Sequence, residues 1–264
     1  KEMELLIYQV DAFSGEVFAG NPAAVCPLPS WLPDETMQAI AAENNLAETA
    51  FFVNTAPGRY HLRWFTPAVE IDLCGHATLA SGYVVFRFLD AALDTVTFDT
   101  MSGPLTVTRD GTRLVMDFPA RPPVPVRPAP GLLDALGGTP KQVLASRDYL
   151  VVYETEEEVL ALQPDMAAVA ALDRFAVIVT APAATPGVDF VSRFFAPAQG
   201  IPEDPVTGSA HCTLVPYWAQ RLGKPQLVAR QVSKRGGTLY CASNGERVSL
   251  AGEAALFLRG NIEL

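Results

Sequence analysis

Short runs of alternating apolar and polar residues, typical of β-strands, recur along the first half of the chain. MELLIYQVDAF at 3–13 and LAETAFFVN at 46–54 are rich in strand-forming residues, and YHLRWFTP at 60–67 predicts a strand that its proline ends. TVTFDTMSGPLTVTRDGTRLVMDF at 95–118 predicts further strands, because Ser-Gly-Pro and Asp-Gly within it are typical turn sequences. The first half is therefore predicted to consist mainly of β-structure.

Two segments have helical rather than strand-like spacing. LPDETMQAIAAENN at 32–45 has helix-start residues at Pro33, Asp34 and Glu35, and its apolar residues then recur as on one face of a helix. GHATLASGYVVFRFL at 75–89 is rich in small residues and then apolar, which predicts a buried helix. PARPPVPVRPAPG at 119–131 contains six prolines, and this stiff segment predicts a boundary between two domains.

The pattern of the first half returns beyond the proline-rich segment. RWFTPA at 63–68 is similar to RFFAPA at 193–198, and CGHATLA at 74–80 aligns with TGSAHCT at 207–213 if the second half has three extra residues. Matches in the same order indicate two copies of one α+β unit. Whether the last strand, AALFLRGNIEL, completes its own half or crosses back to the first is left open. The predicted divisions are a first half at 1–118, a linker at 119–131 and a second half at 132–264.

Composition and charge narrow the classes of function. Hydrophobic residues make up 49% of the 264 residues and charged residues 18%, which is enough apolar material for sizeable cores. Because the net charge is −10 and there is no run of Lys or Arg, nucleic acid and anionic membranes are not expected partners. No apolar run approaches the length of a membrane helix. Four scattered cysteines, and a start that reads as a strand rather than a signal peptide, predict a reduced, cytoplasmic setting.

Each predicted half carries a glycine, a polar residue and an alanine where a strand or loop turns into a helix. The first backbone amides of a helix have no partner within it and lie at the positive end of its dipole, so they bind carboxylates and phosphates well. Two such helix starts that face each other across a domain cleft would hold a small anionic substrate from both sides. The alternative is that these residues only allow close helix packing. The candidate residues are Gly75, His76 and Ala77 in the first half and Gly208, Ser209 and Ala210 in the second.

Cys74 and His76 raise the question of thiol or metal chemistry. A two-thiol racemase of this two-fold kind needs a cysteine from each half, but the residue aligned with Cys74 is Thr207. Together with His211 and Cys212 the pair lacks a recognised zinc spacing, so no metal site is predicted. Cys74 is interpreted as a small buried hydrophobe. No dinucleotide-binding or P-loop motif is present and no lysine lies in the matched motifs, so no cofactor is expected.

Two carboxylates are the candidates for acid–base chemistry. Strand geometry in NNLAETAFFV places Glu48 on an otherwise apolar face with Leu46, Ala50 and Phe52. This glutamate is either a strand-end carboxylate paired with an arginine, or a desolvated carboxyl that takes and returns a proton near neutral pH. Asp204, in EDPVTGSAH, is either a turn-forming Asp-Pro residue or a group that orients an imidazole or binds a substrate amine.

Four segments of the chain resemble the signature segments of the PhzF-like isomerase family of phenazine biosynthesis. They are VDAFSGEVFAGNPAAV, NNLAETAFFV, DLCGHATLA and EDPVTGSAH, and the resemblance runs over nearly the whole chain in the right order. It implies an α+β fold of two pseudo-symmetric halves, each a β-barrel-like sheet wrapped around a central α-helix, as in diaminopimelate epimerase. It also implies cofactor-independent isomerisation by proton transfer and, frequently, a homodimer.

The resemblance also assigns roles to individual residues. The family's catalytic glutamate falls on Glu48, its active-site histidine on His76, its aspartate on Asp204 and its serine on Ser209, while Asn21 falls on the asparagine of a GNP segment near the cleft. The epimerase relatives use paired cysteines, and the departure of this chain from that pattern favours chemistry driven by the glutamate.

The hypothesis from the sequence is a cofactor-independent isomerase that moves a proton on a small carboxylic acid, with a glutamate as general acid and base. A cyclic amino-hydroxy acid or an amino acid derivative is the expected class of substrate. Two alternatives stay open. One is an amino-acid-type racemase or epimerase on the same scaffold, and the other is a non-catalytic protein that binds a small acid or a protein partner.

Overall fold

The computed structural model describes residues 3–264 and divides them into two compact units. The first unit runs up to Asp117 and also includes Ala251–Leu264, whereas Phe118–Leu250 form the second. The last strand of the chain pairs along its length with the first strand, so it lies in the first unit.

The elements of the structure follow the chain in two similar series. Those of the first series are β1 (Glu4–Ala12), β2 (Asn21–Leu28), α1 (Asp34–Asn44), β3 (Glu48–Ala56), β4 (Arg59–Phe65), β5 (Glu70–Ile71), α2 (Gly75–Val84), β6 (Thr95–Thr100), β7 (Gly103–Asp110) and β8 (Arg113–Pro119). Those that follow are β9 (Val124–Pro125), α3 (Leu132–Leu136), β10 (Gln142–Ala145), β11 (Tyr149–Val152), α4 (Glu156–Ala161), α5 (Met166–Ala170), β12 (Val177–Pro182), β13 (Phe190–Ala196), β14 (Ile201–Asp204), α6 (Gly208–Leu222), β15 (Gln226–Gln231), β16 (Gly237–Asn244), β17 (Arg247–Gly252) and β18 (Ala254–Glu263).

The strands of each unit pair in the same mixed order. In the first unit β1 and β2 are antiparallel, β2 and β3 parallel, β3 and β4 antiparallel, β4 and β6 parallel, and β6 and β7 antiparallel. In the second unit the pairs β10–β11, β11–β12, β12–β13, β13–β15 and β15–β16 repeat this order of directions. The short strands β5 and β14 each pair antiparallel with the long strand that precedes them. The predicted α+β fold of two pseudo-symmetric halves is confirmed.

A helix of small residues lies at the centre of the first unit. Helix α2 packs against β1, β2, β3, β7 and β18, and eight of its ten residues are buried. Glycine at position 82 allows the close approach of β7, because a Cβ there would lie 2.8 Å from Cγ1 of Val107. In the second unit α6 occupies the corresponding place in the chain and packs against β15 and β16. Each sheet is thus wrapped around a helix that the sheet buries.

The repeat also conserves an ion pair that supports each unit. Nε and Nη2 of Arg63 each lie 2.7 Å from a carboxylate oxygen of Glu70. Arg193, the aligned arginine, pairs with Glu203 in the same two-pronged manner at 2.8 and 3.0 Å. Each guanidinium also lies over the phenylalanine ring two residues further on, at 5.2 and 4.9 Å from the ring centre. These partly buried pairs join the long strand to the segment that leads into the central helix.

The elements predicted for the first half agree with the structure, with one difference at the end of α2. The predicted helix at 75–89 is α-helical as far as Val84 and continues as a π-helical turn at Val85–Leu89. The amide of Asp90 donates to the carbonyl of Val85, which closes this wider turn. Within the proline-rich segment, β9 pairs antiparallel with β10. Across residues 3–264, no helix combines the length and the apolar character that crossing a membrane requires.

Candidate functional site

Glu48 begins the strand that follows α1. Helix α1 ends at Asn44, and the left-handed backbone of the next residue, Asn45 (φ 50°), turns the chain toward β3. Glu48 lies beside Ala23 of β2 in the parallel β2–β3 pair, and the residue is only 6% exposed. A carboxylate on this buried face requires a partner, since burial of an unpaired charge is costly.

His76 and Cys74 provide that partner from the start of α2. Nε2 of His76 lies 3.0 Å from Oε2 of Glu48, and Nδ1 of the same ring lies 3.4 Å from Sγ of Cys74. All three side chains are buried. Among the described residues, Oε2 and Nε2 make no well-aligned hydrogen bond, so their contact is an ion pair rather than a linear N–H···O bond. The imidazole therefore stands between a thiol and a carboxylate.

The electrostatics of this group favour a charged imidazole. Burial lowers the pKa of His76, but the charges and hydrogen bonds of Cys74 and Glu48 oppose burial and raise its pKa well above the usual range. Burial also raises the pKa of the Cys74 thiol, with a further contribution from the charge of Glu48. Because the thiol stays neutral near pH 7, we assign the raised pKa of His76 to the carboxylate of Glu48. The pair is then an imidazolium beside a carboxylate.

The same three side chains are a possible set of metal ligands. Glu48, Cys74 and His76 each offer one ligand atom, and these atoms lie within 4.8 Å of one another. Nitrogen, sulfur and oxygen are ligands that Zn²⁺ accepts. However, the two ring nitrogens of His76 face different partners, the thiol at Nδ1 and the carboxylate at Nε2. With its two nitrogens facing different partners, the ring is better placed to transfer protons between the thiol and the carboxylate than to bind one metal ion together with them.

The other residues predicted in the first half lie around this group. Asn21 is fully buried at the start of β2, where it pairs with Ala12. Since Asn21 and Ala23 share one face of β2, and Glu48 is the neighbour of Ala23, the amide side chain lies on the same face of the sheet as the carboxylate. Gly75 and Ala77 form the first turn of α2 on either side of His76.

Asp204 belongs to a buried network in the second unit. The hydroxyl of Thr207 donates to Oδ2 of Asp204 at 2.5 Å. Gln231, from the end of β15, donates through Nε2 to the carbonyl oxygen of Asp204 at 2.9 Å and to Oγ1 of Thr207 at 3.0 Å. Its Oε1 accepts from the amide of Thr207 at 2.8 Å. These contacts hold the carboxylate of Asp204 and the residue before α6 in one arrangement.

Ser209 lies at the first turn of α6, where a cation approaches it. Nη2 of Arg147 lies 3.3 Å from Oγ of Ser209, and the same guanidinium binds the buried carboxylate of Asp148 through two bonds of 2.9 Å. The side chain of Arg147 keeps 34% of its exposure. Gly208 and Ala210 flank the serine and are buried. The start of α6 therefore combines uncovered helix amides, a hydroxyl and a positive charge, a set that suits an anion.

His211 and Cys212, considered as metal ligands from the sequence, have structural surroundings. Nδ1 of His211 lies 2.8 Å from the carbonyl oxygen of Thr207, one turn earlier in α6. Burial lowers the pKa of His211 to about 4, so the ring is neutral at pH 7. Burial raises the pKa of the Cys212 thiol to about 11, and its Sγ contacts the carbonyl oxygen of Gly208.

Sequence reasoning missed three contributors to these surroundings. Cys74, interpreted as a small hydrophobe, contacts His76 through its sulfur, so that interpretation is incomplete. Arg147 carries no local signal that distinguishes it from a surface arginine. Gln231 carries a detectable one, because Leu227, Ala229 and Gln231 alternate on the buried face of β15. A polar residue on an apolar strand face is the same signal that identified the glutamate of β3.

Comparisons with known proteins agree with this architecture. The sequence profile of the phenazine biosynthesis-like (PhzC-PhzF) family matches residues 10–260. The chain is 55% identical over 262 residues to an uncharacterized isomerase of Pseudomonas aeruginosa, a match that covers 99% of this chain and 100% of the relative. It is similar to the crystal structure of a PhzF-family protein from Enterococcus faecalis, with a TM-score of 0.96, 48% identity and coverage of 99% and 100%. A hydroxyproline epimerase from Agrobacterium vitis has the same fold at 11% identity, with a TM-score of 0.58 and coverage of 99% and 91%.

Proposed function

Because the chain belongs to the PhzC-PhzF family of phenazine biosynthesis-like proteins, we propose that it is a cofactor-independent isomerase that moves a proton on a small carboxylic acid. Glu48 is the general base and then the general acid. The observation that carries the proposal is the buried group of Glu48, His76 and Cys74, in which an acid–base carboxylate lies 3.0 Å from an imidazole nitrogen.

The proposed reaction moves one proton between two carbons. Glu48 takes a proton from a carbon next to a double bond or a carbonyl group, and the electron pair of the broken C–H bond enters the conjugated system. Glu48 then returns a proton to a different carbon, which restores its carboxylate and completes the isomerisation. The positive charge of His76 stays beside the negative charge that develops on the substrate.

The start of α2 provides a means to bind the substrate carboxylate. Within the described residues, the side chain of Cys74, the N-cap residue of α2, makes no well-aligned hydrogen bond to the first amides of the helix. These amides carry the positive end of the helix dipole and lie directly beside His76. A carboxylate bound there would place the neighbouring carbon atoms of a small acid within reach of Glu48. Asp204 and Ser209 of the second unit are proposed to position the substrate and to take part in proton transfer.

A matched pair of glutamate variants tests the role of Glu48. Glu70 belongs to the same unit but is occupied by two bonds to Arg63. We expect Glu48→Gln to abolish isomerisation of a panel of small carboxylic acids, including unsaturated cyclic amino-hydroxy acids, and Glu70→Gln to retain it once the variant's folding is verified. Isomerisation that survives in Glu48→Gln would contradict the mechanism.

Binding measurements on the same panel test the non-catalytic alternative. If one acid binds to the wild type and to Glu48→Gln with equal affinity and neither converts it, a binding protein is the better description. The homodimer expected from the resemblance and the cytoplasmic setting expected from the cysteine usage stay predictions.

A further inference from the structure

The residues that precede the two central helices share an unusual feature, since neither side chain caps its helix. Ser, Thr, Asp and Asn are preferred at the N-cap because their oxygens accept from the first free amides. Thr207 is suited to this role, and Cys74 occupies the equivalent position before α2. In the described part of the chain, neither makes a well-aligned side-chain capping bond, although both have the extended backbone of an N-cap. The amide of Ala77 makes only a weak contact with the sulfur of Cys74.

Two other helices, α4 and α5, have side-chain N-caps of the usual kind. Oγ1 of Thr155 accepts from the amide of Glu158 at 3.2 Å, and the two residues form a capping box at the start of α4. Asp165 accepts from the amides of Ala167 and Ala168 at the start of α5. Helices α1 and α3 also lack a side-chain cap, because their N-cap residues, Pro33 and Gly131, have no side-chain acceptor. Among the α-helices of the described residues, α2 and α6 are those whose N-cap side chain offers an acceptor atom but does not accept a well-aligned capping bond.

Both uncapped side chains turn instead to an acid–base group. Sγ of Cys74 lies 3.4 Å from Nδ1 of His76, and the hydroxyl of Thr207 donates to Oδ2 of Asp204 at 2.5 Å. The two residues align in the internal repeat, although their partners lie on opposite sides of them in the sequence. The residue before the central helix thus contacts an acid–base group in both copies of the repeated unit, through a thiol in one copy and a hydroxyl in the other.

We propose that Cys74 and Thr207 are positioning residues, whose side chains orient His76 and Asp204 instead of forming well-aligned caps on α2 and α6. This inference rests on the proposed function, because only that function makes His76 and Asp204 acid–base groups. The two contacts are present in the structure whether or not that function is correct. It adds two residues to the chemistry that the sequence and the resemblance assign to Glu48, His76, Asp204 and Ser209.

The thiol of Cys74 suits both protonation states of His76. When the ring is charged, Nδ1–H donates to the sulfur, and when the ring is neutral with its proton on Nε2, the S–H donates to Nδ1. In either state a proton stays on Nε2, which lies 3.0 Å from Oε2 of Glu48. The hydrogen bond between Cys74 and Nδ1 thereby determines that Nε2 carries a proton.

The hydroxyl of Thr207 has no such freedom, because Gln231 fixes it. Nε2 of Gln231 donates to Oγ1 of Thr207, so the single hydroxyl proton must point to Asp204. The amide of Thr207 is also bound by Oε1 of Gln231. The directions of these bonds are therefore determined, and Oδ2 of Asp204 is held as the acceptor of the Thr207 hydroxyl.

Nitrogen NMR of the histidine rings tests the first positioning contact without any substrate. The chain has three histidines, so the signals of His76 are assignable with a His76→Gln variant. We expect Cys74→Ala to shift the Nδ1 resonance of His76, and Cys74→Ser to restore a hydrogen-bonded Nδ1. Cys74→Val serves in place of Cys74→Ala if that variant does not fold. An Nδ1 resonance that is the same in wild type and in the folded Ala or Val variant would overturn the proposal for Cys74.

Kinetics test the second contact once a substrate is in hand. We expect Thr207→Val to lower kcat about tenfold to a hundredfold with little change in KM, since misplacement of a reacting group by about 1 Å costs rate in this range. Thr207→Ser should recover most of the loss because it keeps the hydroxyl. The control is Thr155→Val, which removes a true cap and should lower Tm without changing kcat. A Thr207→Val variant that lowers only Tm would overturn the proposal for Thr207.

The two arms separate this inference from the proposed function. If the Nδ1 resonance responds to Cys74 while Glu48→Gln keeps full activity, the positioning contact stands and the mechanism fails. If Glu48→Gln is inactive and Nδ1 does not respond to loss of the thiol, the mechanism stands and the positioning role of Cys74 fails.

Discussion

His211 makes the stability of the second unit sensitive to acid. Its ring is fully buried in α6, with Nδ1 directed at the carbonyl oxygen of Thr207 and the ring of Phe190 beside it at 6.1 Å between ring centres. Among the residues described, Nε2 has no hydrogen-bond partner. A second proton on this ring would be a buried charge without a counter-charge, so the folded protein resists protonation of His211.

The size of the effect follows from the two pKa values. The pKa of His211 is about 4 in the folded protein and 6.5 as a reference for the unfolded chain. A difference of about 2.5 units corresponds to about 3 kcal/mol of unfolding free energy. The unfolded chain binds the proton more readily, so this contribution is fully present above pH 6.5. It is lost as the pH falls from about 6.5 to about 4, and it does not change further below that.

The assay compares the wild type with His211→Gln. Glutamine keeps an N–H donor for the carbonyl of Thr207 and does not titrate. Urea unfolding of both proteins is measured at intervals from pH 7.5 to pH 4. We expect the wild type to lose about 3 kcal/mol more than the variant over this range, because all other titrating groups are common to both proteins.

Equal losses in the two proteins would refute the reasoning. They would mean that His211 accepts its second proton as readily in the folded state as in the unfolded chain. A direct NMR titration of the His211 ring in the folded wild type would then show a pKa near 6.5 instead of near 4.

Three further predictions follow from other contacts. Glu48→Gln should lower the pKa of His76, as measured by ring NMR, because the buried imidazolium loses its counter-charge; an unchanged pKa would assign the charge to a thiolate of Cys74 instead. Gly82→Ala should lower the free energy of unfolding in urea by about 1–3 kcal/mol, because the added Cβ would meet Val107. A second substitution, Val107→Ala, should recover part of this loss. Full stability of the single variant would contradict the close approach of α2 and β7. All four thiols are buried, and burial raises the pKa of each. Iodoacetamide at pH 7.5 should therefore label them slowly in the native protein and completely after unfolding, as counted by mass spectrometry. Rapid labelling of any one thiol in the native protein would contradict its burial.

Much of the architecture is predictable from the chain because local patterns and the internal repeat agree. The strand-forming runs, the proline and acidic residues at the start of α1 and the small residues of α2 each indicate their own element. The two Arg-aromatic-Phe segments align, and each forms the same long strand with the same arginine–glutamate pair. The place of β18 is not predictable this way, because pairing with β1 joins the two ends of the chain and leaves no local signal.

The candidate site is only partly predictable for a related reason. Glu48 stands out because it interrupts an apolar strand face, and Gln231 follows the same rule. The contact of Cys74 with His76 does not follow from composition, since a cysteine at an N-cap reads equally well as a small buried residue. Its sulfur turns to the ring only because the extended backbone at Cys74 and the first turn of α2 bring the two side chains together.

The most direct test of the account is deuterium uptake in D₂O by proton NMR, with the wild type and Glu48→Gln compared on the same panel of small carboxylic acids. We expect the wild type to incorporate deuterium at a carbon next to the conjugated acid, and correctly folded Glu48→Gln to incorporate none. Uptake at equal rates in the two proteins would contradict the central claim, because the proton would then be moved by a group other than Glu48.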